Sequence, residues 1–104
     1  MPNVVIFSMD TISSILIKRA EIAAIARKHG ATNVRVFGSV ARNEARPDSD
    51  LDLLVDIGQV HSPWFPVRLI DELKQLLNRN VDIVTERSLN PRLREQILRE
   101  ARPL

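Results

Sequence analysis

The sequence predicts an α/β (α+β) domain in which a short β-sheet is flanked by helices. Segments whose apolar residues recur every three or four positions alternate with short segments rich in β-branched residues. The chain has 104 residues, 44% of them hydrophobic and 27% charged, which is typical of a globular domain. Since we find no repeat, low-complexity tract or linker, residues 1–104 are expected to form a single domain.

The first half of the chain predicts a helix, a strand and a short helical stretch. Apolar residues at helical spacing extend over residues 10–29, and Gly30 is a typical helix stop. Residues 33–37 alternate in polarity and are β-branched, which predicts a strand, and residues 40–44 have a helical composition. Residues 1–9 are ambiguous between an extended arm and a frayed helix end.

The second half continues this alternation after a turn at residues 46–49. The expected elements are a strand at 51–57, a helix whose apolar stripe covers 69–77, a strand at 81–85, and a last helix that Asn90 caps and Pro91 opens. Trp64 and Phe65 are expected to anchor their loop on the sheet, with a partner contact or base stacking as the alternatives. These patterns leave the strand directions open.

Composition excludes several classes of protein and site. The absence of cysteine excludes a disulfide scaffold, a thiolate zinc site and a cysteine nucleophile. No apolar run is long enough to cross a membrane and no signal peptide is recognisable, so a soluble, cytoplasmic protein is expected. The net charge of +2 is too small to indicate direct nucleic-acid binding. His29 and His61 fit no metal-binding spacing and are expected at the surface.

The most informative residues are three aspartates in predicted strands. Asp50 and Asp52 lie on one face of a strand, about 6.6 Å apart at a rise of ~3.3 Å per residue. Their charges repel by roughly 2.5 kcal/mol at an effective dielectric constant of about 20, which exposure to water or a divalent cation would offset. With Asp82 on another strand, they would form an oxygen-ligand site suited to Mg²⁺. The alternative is an edge strand with a solvated outer face.

Gly38 and Ser39 lie between a predicted strand and the short helical stretch. Backbone N–H groups in such turns can bind anions, and small residues let a phosphate approach closely. The dipeptide alone is a weak signal, because an ordinary strand-to-helix turn has the same composition. It is not a Walker loop, since no lysine follows.

Together these residues carry a resemblance. Gly38-Ser39, ten further residues and then Asp50-Leu51-Asp52 resemble the signature of the DNA polymerase β-like nucleotidyltransferase superfamily. Residues 37–45 and 49–55 are similar to its minimal nucleotidyltransferases, which include the MntA-type antitoxins that pair with HEPN-domain toxins. The resemblance covers residues 12–104 and implies the polymerase β-like fold, with a short mixed sheet flanked by helices.

The resemblance also implies roles for individual residues. Asp50 and Asp52 would bind two catalytic Mg²⁺ ions, and Asp82 would be the third carboxylate, as a metal ligand or a base. Gly38 and Ser39 would hold the triphosphate of ATP.

Arg42 and Asn43 follow the Gly-Ser turn and are more ambiguous. Arg42 fits the family's Ala-Arg step and would bind the nucleotide phosphates or pair with Glu44 or Asp48. Relatives usually carry glycine at the position of Asn43. Asparagine tolerates a left-handed backbone, so the turn can survive, and a modest loss of activity is the alternative.

The function that the resemblance implies is transfer of AMP from ATP to a tyrosine of a HEPN-domain toxin, which neutralises the toxin. The chain has no tyrosine, so it cannot modify a tyrosine of its own. The acceptor site would come largely from a partner, which favours a hetero-oligomer, or from a second copy. Inhibition by occlusive binding without catalysis is one alternative. The other is a catalytic subunit of a two-component small-molecule nucleotidyltransferase.

Overall fold

A computed structural model of the chain describes residues 11–46, 48–58 and 63–104. The helices are α1 (Thr11–Ile17), α2 (Arg19–Lys28), α3 (Gly38–Ala41), α4 (Val67–Leu77) and α5 (Pro91–Glu100), with a 3-10 turn at Glu86–Ser88. The strands are β1 (Ala31–Phe37), β2 (Leu51–Ile57), β3 (Val81–Val84) and β4 (Arg102–Pro103). The predicted α/β architecture is confirmed. No described helix has the length and apolarity that crossing a membrane requires.

The strands form one mixed sheet in the order β3-β2-β1-β4. Strand β1 is antiparallel to β2 and β4, whereas β2 and β3 are parallel. In this register Asp52 of β2 lies between Phe37 of β1 and Asp82 of β3. Two of the three predicted aspartates are therefore direct neighbours across a strand pair.

The main core lies on one face of this sheet. Leu51, Leu53 and Val55 of β2 are buried there with Ile22 of α2 and Leu73 of α4. Since side chains alternate along a strand, Asp52 is directed away from this core. The polarity pattern of β2 thus separates the packing face from the face that carries the carboxylates.

The helices end or begin at residues that favour the backbone geometry found there, and Gly30, Asn90 and Pro91 among them were predicted. Gly30, with a φ of 84°, follows α2, and Asn78, with a φ of 53°, ends α4 in the left-handed conformation. The side chain of Asn90 accepts a hydrogen bond from the Arg92 amide (2.9 Å), and Pro91 is the first residue of α5. Each stop or cap therefore has the backbone geometry that its residue type favours.

Several boundaries differ from the predictions. The helix expected over 10–29 is divided at Lys18 into α1 and α2. The break was not predicted because the apolar spacing continues across it. Strand β1 begins two residues early, at Ala31, and has an irregular register near Asn33, whose φ is 51°. Helix α3 begins at Gly38 rather than at residue 40.

Among the other predictions, Phe65 packs against the core, but Trp64 is 62% exposed and does not serve as the expected anchor. The prediction that His29 lies at the surface is wrong, because its side chain is only 14% exposed and bonds to Glu72 (2.9 Å). The predictions for residues 1–9 and for His61 lie outside the described residues.

Candidate active site

The Gly38-Ser39 turn is built directly against Asp52. Strand β1 ends at Phe37, and Gly38 begins α3 with a φ of 75°, which favours glycine. A Cβ atom at this position would collide with the carboxylate of Asp52. The missing side chain of Gly38 therefore gives the first backbone turn of α3 its close approach to the aspartate.

The three aspartates lie at the start of two parallel strands. Asp52 is half-buried and pairs in register with Asp82, which is exposed. Neighbouring strands are about 4.8 Å apart, so these two carboxylates belong to the same small region. Asp50 precedes β2 and is also exposed. The structure thus brings Asp52 and Asp82 together beside Gly38, with Asp50 on the segment that enters β2.

The electrostatics of Asp52 reflect this crowding. Partial burial raises the pKa of its carboxyl group, and the charges of Asp82 and Asp50 raise that pKa further. The guanidinium of Arg42 acts in the opposite direction and lowers it. The site therefore concentrates negative charge where a bound cation would be stabilised.

The residues present fit magnesium by the chemistry of their donors. All three side chains supply carboxylate oxygens, the ligands that Mg²⁺ takes together with substrate phosphates. As these side chains stand, the described residues hold no group of three or more Asp, Glu, His or Cys arranged for a metal ion. The fit accordingly rests on the oxygen donors and on the mutual repulsion of the carboxylates.

Arg42 pairs with two glutamates at the end of α3. Its Nε donates to Oε1 of Glu44 (2.9 Å), which is one of the predicted pairings. Its Nη1 donates to both carboxylate oxygens of Glu100, at 3.2 and 3.1 Å. Asp48 does not share in these bonds.

Glu100 is the residue that the sequence reasoning missed. Its Oε1 also accepts the amide hydrogen of Gly38 (3.1 Å). No local pattern marks Glu100, because only the tertiary structure reveals its contacts with a turn 62 residues earlier. Two of the predicted nucleotide-binding residues, Gly38 and Arg42, are therefore joined through one carboxylate.

Asn43 has the left-handed backbone conformation expected at this position. Its φ is 59°, in the left-handed region, and its amide donates to the carbonyl of Val40 (3.1 Å). Asparagine adopts this conformation more readily than most residues other than glycine. The turn after α3 is thus retained.

Comparison with known proteins identifies the family. The family described as "Nucleotidyltransferase domain" matches residues 19–104. A protein of Methanocaldococcus jannaschii, provisionally named a protein adenylyltransferase, is 45% identical over 85 residues, 82% of this chain and 90% of that protein. The protein adenylyltransferase MntA of Thermococcus cleftensis is 36% identical over 93 residues, 89% of this chain and 92% of its own length.

Similar solved structures agree with this family assignment. A chain provisionally described as a minimal nucleotidyltransferase is 51% identical and superimposes with a TM-score of 0.79, covering 94% of this chain and 99% of that one. A chain of a toxin–antitoxin complex with AMP-PNP shares the fold, with a TM-score of 0.69 and 22% identity over 82% of this chain and 70% of its own. With its mixed sheet and flanking helices, the present chain belongs to the nucleotidyltransferase domain family and has the minimal nucleotidyltransferase fold.

Proposed function

We propose that this nucleotidyltransferase is an antitoxin that transfers AMP from ATP to a tyrosine of a HEPN-domain toxin. The observation that carries the proposal is Asp52, which lies against the Gly38 turn on one side and beside Asp82 on the other. The name of the Thermococcus cleftensis relative supports protein adenylylation. The complex with AMP-PNP agrees with a toxin partner and an adenine nucleotide.

In this proposal the Gly38 turn and Arg42 bind the nucleotide. Backbone N–H groups at the start of α3 and the guanidinium of Arg42 would hold the triphosphate and orient its α-phosphorus. Asp50, Asp52 and Asp82 would hold two Mg²⁺ ions, which when bound would acidify the acceptor hydroxyl and neutralise charge on the leaving pyrophosphate.

The transfer itself is a substitution at phosphorus. The tyrosine oxygen forms a bond to the α-phosphorus, and the bond from that phosphorus to the bridging oxygen breaks, releasing pyrophosphate. The phenolic proton leaves through a carboxylate, a role for which Asp82 is the exposed candidate. Because Asp50 and Asp82 are both exposed, a macromolecular acceptor could reach them.

The test is the intact mass of the copurified toxin before and after incubation with ATP and Mg²⁺. We expect mass to be added in adenylate steps by the natural chain and not by the double variant Asp50→Asn/Asp52→Asn. Asp71→Asn is the matched control, because Asp71 is an exposed aspartate of α4, the helix that packs on the core face of the sheet. If the double variant added as much mass to the toxin as the natural chain does, the proposal would be wrong.

The same experiment separates the alternatives. A complex that forms and inhibits the toxin without added mass would favour occlusive binding. Turnover of a small hydroxylated acceptor in the presence of the partner would favour a two-component small-molecule nucleotidyltransferase.

A further inference from the structure

We propose that Glu100 is a positioning residue that holds α3 in the orientation needed for nucleotide binding. This inference rests on the proposed function, since it assigns Glu100 a role toward the same nucleotide. Glu100 is the last residue of α5, and its carboxylate bonds to both ends of α3. It accepts the Gly38 amide hydrogen at the start of α3 (3.1 Å) and two contacts from Arg42 at its end (3.2 and 3.1 Å).

Helix α3 needs such a support because it is only four residues long. One helical turn orders several backbone dihedral angles for very few hydrogen bonds, so it is not stable alone. The direction of its N–H groups relative to Asp52 must therefore be set by contacts with other elements. Glu100 supplies charge-assisted bonds of this kind, and with 16% of its side chain exposed it is shielded from most of the solvent.

The charge of Glu100 points to a specific role. The carboxylate of Glu100 opposes the approach of a triphosphate, and its negative charge also acts on Asp52. This repulsion is offset because Glu100 also positions the cationic Arg42. Nη1 of Arg42 donates to Glu100, and its Nε donates to Glu44. Its Nη2 makes no hydrogen bond to any described residue, which leaves a donor for phosphate. Without Glu100, the guanidinium would lose one of the two partners that orient it and would keep only the bond to Glu44.

The first test is the affinity for AMP-PNP with Mg²⁺, measured by calorimetry on the full chain. Glu100→Gln keeps an acceptor for the Gly38 amide but loses the ion pair with Arg42, so we expect about tenfold weaker binding or more. Glu95→Gln, the same change at an exposed position of α5, should leave affinity unchanged.

Each result has a definite meaning. Unchanged affinity in Glu100→Gln overturns the inference, and tighter binding would show that Glu100 competes with the phosphates instead. If the natural chain itself does not bind AMP-PNP, the proposed function fails and the inference with it. The two failures can be told apart, because the inference alone fails only when the natural chain binds AMP-PNP and Glu100→Gln binds it equally well.

A double-mutant cycle separates positioning from a general effect of α5 on folding. If Glu100 acts through Arg42, Glu100→Gln should weaken AMP-PNP binding far less in an Arg42→Ala background than in the natural chain. A purely structural role predicts equal losses in both backgrounds, together with a lower unfolding midpoint. Additive losses would therefore overturn the inference even if Glu100→Gln binds poorly.

Discussion

At the scale of single residues, the site depends on the absence of a side chain at Gly38. Its φ of 75° suits glycine, and the space that a Cβ would take is filled by the carboxylate of Asp52. The backbone conformation of Gly38 and the position of the Asp52 carboxylate are thus linked. Asn43, with a φ of 59°, shows that another left-handed position of the same turn tolerates a side chain that projects into open space.

Gly38→Ala should therefore damage the site more than the fold. Forcing alanine into the left-handed region costs about 1–2 kcal/mol, and the methyl group must displace Asp52. We expect adenylylation of the toxin to be lost while the chain still unfolds cooperatively, at a lower midpoint. Chemical denaturation and the intact-mass assay measure the two effects.

Gly58→Ala is the matched control for this substitution. Gly58 has no left-handed φ, and among the described residues an added Cβ would meet only the carbonyl oxygen of Gly30, at 4.0 Å. Gly58→Ala should therefore leave adenylylation of the toxin unchanged. Gly38→Ala with full activity would contradict the close packing of Asp52 against the turn.

At the scale of elements, strands and helices with a clear polarity pattern were predictable, and short elements were not. The alternation in β2 placed Leu53 on the core side and Asp52 on the other, because side-chain period is a local property of a strand. Strand β4 has two residues and depends on pairing with Val36, so no local pattern marks it. The Glu100 contacts escaped prediction for the same reason, since they join residues 58 and 62 positions apart.

The N-terminal cap of α5 gives a prediction at this scale. Asn90→Ala removes the acceptor of the Arg92 amide hydrogen and should lower the free energy of unfolding by about 1 kcal/mol. Asn90→Ser keeps a capping oxygen and should restore most of that loss. Urea denaturation of the three chains measures these free energies of unfolding. An unchanged free energy in Asn90→Ala would show that this cap adds little to stability.

At the scale of the whole molecule, the sheet separates packing from chemistry. Helices α2 and α4 cover one face of the sheet, while the carboxylates and the Gly38 turn lie together where β1 ends and where β2 and β3 begin. Under the proposed function this region would hold the nucleotide, and Asp50 and Asp82, which are both exposed, would face the acceptor. A partner that brings its own hydroxyl group is the simplest complement to such a surface.

The contact between α2 and α4 predicts how global stability depends on pH. A hydrogen bond from Lys28 to Glu72 (2.8 Å), and a second one with His29, lower the pKa of the Glu72 carboxyl below its ordinary value of 4.5. A carboxyl group whose pKa is lower in the folded state stabilises the fold above its unfolded pKa. This stabilisation is lost as the pH falls through the folded pKa. The natural chain should therefore be more stable than Glu72→Gln near about pH 7, and the difference should shrink below about pH 4.5. Urea denaturation of both chains across this range measures it, and a difference independent of pH would show that the Glu72 pairs contribute no net electrostatic stabilisation.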